Sequence, residues 1–229
     1  MATSGVITST MTAGQMMMLA MQEIGVLGAG ETPTGEEYES MIPRLNFMLK
    51  TWQAKGCNLW RATTGTVTIT ADTASGELDP NIIDVQAARV VTTNNEIPMQ
   101  QWGNGEYRIL PNKAQSGRPI AFYVDKQRDA VNLYVWPVPT ANTDIKIDYA
   151  RVIEDVTATT ETLDIPQQWI ETVYVNLAAR CINLFGATRL DPNTAAEVKQ
   201  RAAEMEAELL DMDRPASIMF GSAVSQQYF

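Results

Sequence analysis

Apolar residues recur every three to four positions near both ends of the chain and every second position in its middle, so the pattern predicts helices flanking a β region. Thr12-Ala-Gly-Gln15 has capping-box form, and Met17, Ala20, Met21 and Ile24 then share one helical face until Gly25 and Gly28 stop it. The run Met16-Met17-Met18 reads as packing filler rather than a soft cofactor pocket, because an unbranched thioether fits irregular gaps. A second capping box, Thr34-Gly-Glu-Glu37, opens a stripe of Tyr38, Met41, Ile42, Leu45, Met48, Leu49 and Trp52 that Gly56 ends. Pro43 lies inside that stripe and is expected to kink the helix or divide it in two.

The period changes to two between about Leu59 and Glu154. Val67 and Ile69 alternate with Thr66, Thr68 and Thr70. Val85–Val91 and Ile97–Met99 flank the turn-forming Asn94-Asn95, and Ile120–Val124 and Val131–Trp136 flank residues 126–129, so two hairpins are predicted. Ile145–Tyr149 makes a further strand after the Pro137/Pro139 loop. Tyr107 to Pro111 reads as a short inserted helix, and Trp102-Gly-Asn-Gly-Glu106 as a turn. The module is expected to be antiparallel.

From Leu163 the helical period returns. Ile170, Val173, Tyr174, Leu177, Cys181, Leu184 and Phe185 form a strong stripe ending at Gly186. Asp191-Pro192 then starts a last helix, whose thin seam is Ala195, Val198, Ala202, Met205 and Leu209 and whose other faces are charged. Helical blocks on either side of the strands predict an α+β fold: an antiparallel helical bundle (1–58 and 160–212) with an inserted antiparallel β domain (59–159) and an extended C-terminal tail (213–229). Residues 215–229 have no charged side chain, and Ile218, Met219, Phe220, Tyr228 and Phe229 have the character of anchors for a groove on a partner.

Composition narrows the function mainly by exclusion. The 229 residues carry 17 basic and 27 acidic side chains, a net charge of −10, with no Lys/Arg cluster of the kind that grips phosphates. The chain has no histidine, which removes the commonest general base, the commonest metal ligand and every Ser-His or Cys-His arrangement. Cys57 and Cys181 are too few for a metal motif or a disulfide framework. Gly28-Ala-Gly30 does not join a strand to a helix, so it is a connector rather than a phosphate loop. Glu36, Glu37 and Glu39 suit a helix first turn, Glu204, Glu206 and Glu208 a solvated face, and Asp125 and Asp129 a hairpin turn. No catalytic residue, metal site or cofactor is expected. The opening Met-Ala-Thr-Ser-Gly has no basic flank or apolar core, and no apolar run reaches bilayer length, so a soluble cytoplasmic product and no membrane partner are expected.

The order of pieces carries a resemblance. Residues 16–26, Leu45-Asn-Phe-Met-Leu49, Trp52 and Gly56 resemble the opening helices of phage head-to-tail adaptors, the tail accessory or packaged-DNA stabilisation proteins of short-tailed phages. Gly117-Arg-Pro-Ile-Ala-Phe-Tyr123, Leu133-Tyr-Val-Trp-Pro-Val-Pro139 and Ile147-Asp-Tyr-Ala-Arg151 are similar to the β module of larger relatives. Leu163-Asp-Ile-Pro166, Trp169 and Asn176-Leu-Ala178 resemble the helix start of adaptor and connector proteins. The resemblance implies a structural virion protein of the neck, present in the host cytoplasm before assembly. It also implies a ring, typically of twelve copies, between the portal protein and the tail nozzle protein, with dsDNA passing through the lumen and the C-terminal tail gripping the portal. A cell-wall-degrading virion enzyme on the same scaffold, or a nozzle or head-completion protein elsewhere in the tail, are the alternative readings.

Overall fold

The computed structural model describes residues 10–56, 61–185 and 191–212, so Cys57, Gly186 and the whole segment 213–229 lie outside the described residues. The fold is α+β. In chain order the elements begin with α1 (Ala13–Glu23), α2 (Gly35–Ala54), β1 (Ala62–Ile69), β2 (Ser75–Leu78), β3 (Ile82–Val91), β4 (Glu96–Pro98) and β5 (Gln100–Gln101). They continue with α3 (Asn104–Arg108), β6 (Ala121–Lys126), β7 (Val131–Trp136), β8 (Thr143–Arg151), α4 (Ile170–Phe185) and α5 (Pro192–Met212). Two compact units result: Met1–Leu59 with Val156–Phe229, whose described elements are helical, and Trp60–Asp155, which holds every strand among the described residues.

In the α unit, α4 touches α1, α2 and α5. It is the most apolar of these helices and buries Val173, Val175, Leu177, Ala178, Cys181 and Ile182. Against it lie Met17, Ala20 and Met21 of α1 and Met41, Leu45, Met48 and Trp52 of α2, all at most 1% exposed. Trp52 meets Trp169 edge to face at 5.5 Å, a geometry the ring quadrupoles favour. Burial pushes the Cys181 thiol up to about 11, so this cysteine is a packing residue and not a nucleophile. Asn176 is buried, and its Nδ2 donates to Thr172 O at 3.0 Å and to Ala202 O of α5 at 3.2 Å, a polar peg between two helices.

Segments far apart in sequence close this unit. All four N–H groups of the first turn of α1 find acceptors: Ala13 at Glu161 O and Gly14 at Thr159 O, both 2.8 Å, Gln15 at Thr12 Oγ1, and Met16 at Thr12 O. The loop supplying those carbonyls is shaped by Glu161, whose carboxylate accepts from Thr157 N and Thr157 Oγ1, each at 2.7 Å, and from Ala158 N at 3.2 Å. On α2, Asn46 Nδ2 donates to Val156 O at 2.8 Å and Val156 N donates back to Asn46 Oδ1 at 2.9 Å. Both capping boxes form as read from sequence.

Pro43 does not divide α2, which runs unbroken for 20 residues. Met41, Leu45 and Met48 on either side are fully buried on the same face, and that packing holds the helix through the missing hydrogen bond. Glu206 is likewise not on a solvated face; it pairs with Lys55 beyond the end of α2. The α5 seam appears as a narrow line of Val198, Ala202 and Leu209, and Asp191 caps its start by accepting from Thr194 N at 3.3 Å.

The β unit is a sandwich of two four-stranded sheets, ordered β1-β8-β3-β4 and β2-β7-β6-β5. Both predicted hairpins are present, as β3/β4 and β6/β7. Inward residues of both sheets share one core, including Val85, Val90, Ile145 and Ile147 from the first and Phe122, Leu133 and Val135 from the second. Gly76 allows close approach of β2: a Cβ there would lie 2.6 Å from Ile69 Cδ1. Two expectations need correction. The sheets are not wholly antiparallel, because β5 runs parallel to β6 at Gln100–Ala121 and Gln101–Phe122. The segment 102–106 is not a free turn; Glu106 Oε2 accepts from Gly103 N at 2.7 Å and thereby starts α3 three residues earlier than the periodicity placed it.

Gly14→Ala should destabilise the chain despite gaining about 1 kcal/mol of helix propensity, because the new Cβ would lie 3.0 Å from Thr159 O. Overpacking of this kind costs about 1–3 kcal/mol, and urea unfolding reads the net sign. Hydrogen bonds from Thr157 and Ala158 hold the Glu161 carboxyl below its ordinary value. The folded pKa is therefore depressed, its stabilisation is present above the ordinary carboxylate range, and it is lost as pH falls through the folded value. Glu161→Gln should flatten that acid limb in unfolding curves taken across a pH series.

Candidate interface on the β unit

The five sequence-assigned anchors, Ile218, Met219, Phe220, Tyr228 and Phe229, all lie outside the described residues. Within the β unit a different group of aromatics comes together. In β6 and β7 the inward phase is taken by Phe122, Val131, Leu133 and Val135. Strand alternation therefore puts Tyr123, Tyr134 and Trp136 on the opposite face of the sheet.

Helix α3 lies against β6 and brings Tyr107 onto this face. Its ring stacks on Tyr123 at 5.4 Å and 21°, and meets Tyr134 at 5.3 Å and 45°. Tyr123 and Tyr134 stack on each other at 6.0 Å. Beside them Trp102 and Trp136 sit 5.5 Å apart, and Trp136 Nε1 donates to Asn112 O at 3.0 Å. The Lys113 ammonium stands 5.8 Å from the centre of the Tyr107 ring. All five aromatics are half-buried, so each presents part of a ring to solvent.

The electrostatics are those of a packing surface. Burial pushes the Tyr107 hydroxyl above its ordinary value, with Tyr134 adding to the shift. Burial, then the Asp125 carboxylate, does the same to Tyr123. Both phenols therefore stay protonated at neutral pH and serve as neutral hydrogen-bonding groups on apolar bodies. Two isoleucines are exposed elsewhere on the same unit: Ile109, at the end of α3, is 80% exposed, and Ile120, just before β6, is 50% exposed. Half-exposed aromatic rings with the Lys113 ammonium beside them suit contact with another protein surface.

The sequence held a signal for this face. Tyr123, Tyr134 and Trp136 stand at the polar phase of strands whose apolar phase is already complete. What the sequence lacked was the long-range placement of Tyr107, which depends on where α3 lands. The acidic residues read as turn or helix-end groups behave so: Asp125 accepts from Gln127 Nε2 at 2.9 Å, and Glu37 closes the α2 capping box.

Comparison with known families adds the decisive observation. The SU10 adaptor protein family matches residues 11–226, which span both units. The chain belongs to the SU10 adaptor protein family. No curated protein matches it. Membership makes this SU10-family adaptor a structural protein of the phage head-to-tail connection, located in the virion neck.

Two substitutions separate structural and surface roles on the β unit. Tyr107→Ala should lower stability by about 3–5 kcal/mol at most, and less in proportion to its partial exposure, because it removes the contact that fixes α3. Ile109→Ser should change stability by less than about 0.5 kcal/mol, as expected for an exposed site. Chemical denaturation of both variants, followed by tryptophan fluorescence, checks the contrast.

Proposed function

We propose that twelve copies of this SU10-family adaptor form a ring between the portal protein and the tail nozzle protein, closing the DNA exit channel and giving the tail its attachment platform. The family match through residue 226 carries this reading, because it takes in both compact units and most of the charge-free segment 215–229. In this reading the α unit is the ring body. The segment 215–229 docks on the portal through Ile218, Met219, Phe220, Tyr228 and Phe229. Repetition around a ring turns a modest contact per subunit into a durable joint.

The distribution of charge supports a lumen that DNA passes without adhering. Residues of the helical unit include 15 acidic and 8 basic side chains, leaving −7, whereas the β unit has 12 and 9, leaving −3. A ring body with the larger negative charge repels the equally negative duplex. The aromatic face of the β unit then offers a second protein contact, toward the nozzle. No catalytic step is needed for any of these roles.

Native mass spectrometry of the purified protein mixed with the portal ring of the same genome tests the assignment. A saturating complex at one adaptor copy per portal subunit is the expected outcome; absence of binding by folded adaptor to intact portal would move the protein further down the tail. Deleting residues 215–229 should leave a folded protein that no longer binds portal, and undiminished binding would sink the docking role of the tail.

A further inference from the structure

Three of the four sheet edges in the β unit are guarded. β5 has two residues and β2 has four, including Glu77. β4 has three, ends in Pro98, and begins with Glu96, which pairs with Lys146 at 2.8 Å and with Arg89 at 3.4 Å. Short strands, proline and charge are the usual means by which a sheet edge refuses another strand.

β1 has none of them. It is eight residues long, Ala-Thr-Thr-Gly-Thr-Val-Thr-Ile, with no charge and no proline. Its register with β8 runs without a bulge from Ala62–Ala150 to Ile69–Thr143, and among the described residues no strand pairs on its other side. On this side of the sheet the charges begin one strand in, with Asp144, Lys146, Asp148 and Arg151 on β8 and Asp84 and Arg89 on β3. Thr64 and Thr68 donate to two of these carboxylates, Asp148 at 2.8 Å and Asp144 at 2.6 Å. At the β1 edge the usual order, with charge outermost, is thus reversed. On the core side Thr63, Gly65 and Val67 are only half-buried, as expected of a strand with room for a neighbour.

We infer that the free edge of β1 accepts β1 of a second copy of this chain, antiparallel and about a two-fold axis. The sequence of the strand is what selects this occupant. A two-fold through Thr66 sets Thr66 against its own copy and Thr64 against Thr68, and threonine pairs across strands are favourable. It also sets Gly65 against Val67, small against branched, and brings no like charges together. The contact is isologous, so it closes at two copies. One strand pairing buries less than the roughly 1,200 Å² of a stable specific interface, so the dimer forms with rising concentration rather than permanently. A two-fold inverts one copy relative to the other, so this pair is a form of the free protein and not a contact of the ring, whose copies share one polarity. It goes beyond the adaptor reading and does not depend on residues 215–229.

Sedimentation velocity on the full chain, from about 5 to about 500 μM, spans the range in which such a contact would show. The wild type should pass from one copy toward two. Thr66→Lys and Thr66→Glu, at an exposed position, should each weaken dimerisation about tenfold by facing like charges across the axis. An equimolar mixture of the two variants should restore the dimer, a result that misfolding of either could not give. A wild type that remains a single copy throughout, or an assembly whose mass neither variant changes, overturns the inference. So does hydrogen-exchange protection of residues 62–69 that appears only when portal is added, which would give the edge to a neck partner instead. Portal binding by both variants, measured alongside, keeps failure of this inference distinct from failure of the adaptor assignment.

Discussion

The buried surface of α4 is the constraint on which the α unit depends. The first two helices carry methionine and leucine stripes wide enough to need a partner, and they touch each other only slightly. Their common partner comes after the whole β unit, at Ile170–Phe185. Hydrophobic burial at this one helix therefore requires the chain to leave, build a sandwich, and return. The insertion is stable in that arrangement because its own core closes independently between two sheets.

Polar contacts set the register of the return. Apolar burial is non-directional, so it would allow α4 to slide or rotate against the methionine face. The exchange of hydrogen bonds between Asn46 and Val156, the carbonyls of Thr159 and Glu161 on the start of α1, and the Asn176 peg to Ala202 each demand one geometry. Arg201 of α5 adds a tie to Glu23 at the end of α1 and to Glu171 at the start of α4. These last pairs are exposed and contribute little to stability. Their effect is to favour one orientation of a helix whose apolar seam is narrow.

An adaptor must join larger assemblies while its own surface remains soluble, and the chain separates those demands between units. The α unit holds most of the net negative charge. In the β unit, ion pairs among Arg89, Glu96, Lys146 and Asp148 cover one sheet, whereas the other presents stacked tyrosines and paired tryptophans. One sheet face is therefore fit for water and the other for contact. Family membership gives the chain a structural role in the head-to-tail connection, and this asymmetry gives it a surface suited to protein contact.

Sequence by itself determined the local elements: both N-terminal capping boxes, the strand pairs of two hairpins, the α4 stripe and the proline start of α5. These are set by residues within a few positions of one another, so periodicity and cap chemistry suffice. Tertiary structure decided what the spacing did not contain. It kept α2 whole through Pro43, because buried residues on both sides outweigh one lost hydrogen bond. It drew Glu206 from an expected solvated face to Lys55, sorted eight strands into two sheets with one short parallel pairing, and brought Tyr107 onto Tyr123 and Tyr134. Each of those outcomes depends on groups distant in sequence meeting in space, and burial, which no single segment determines, selects among them.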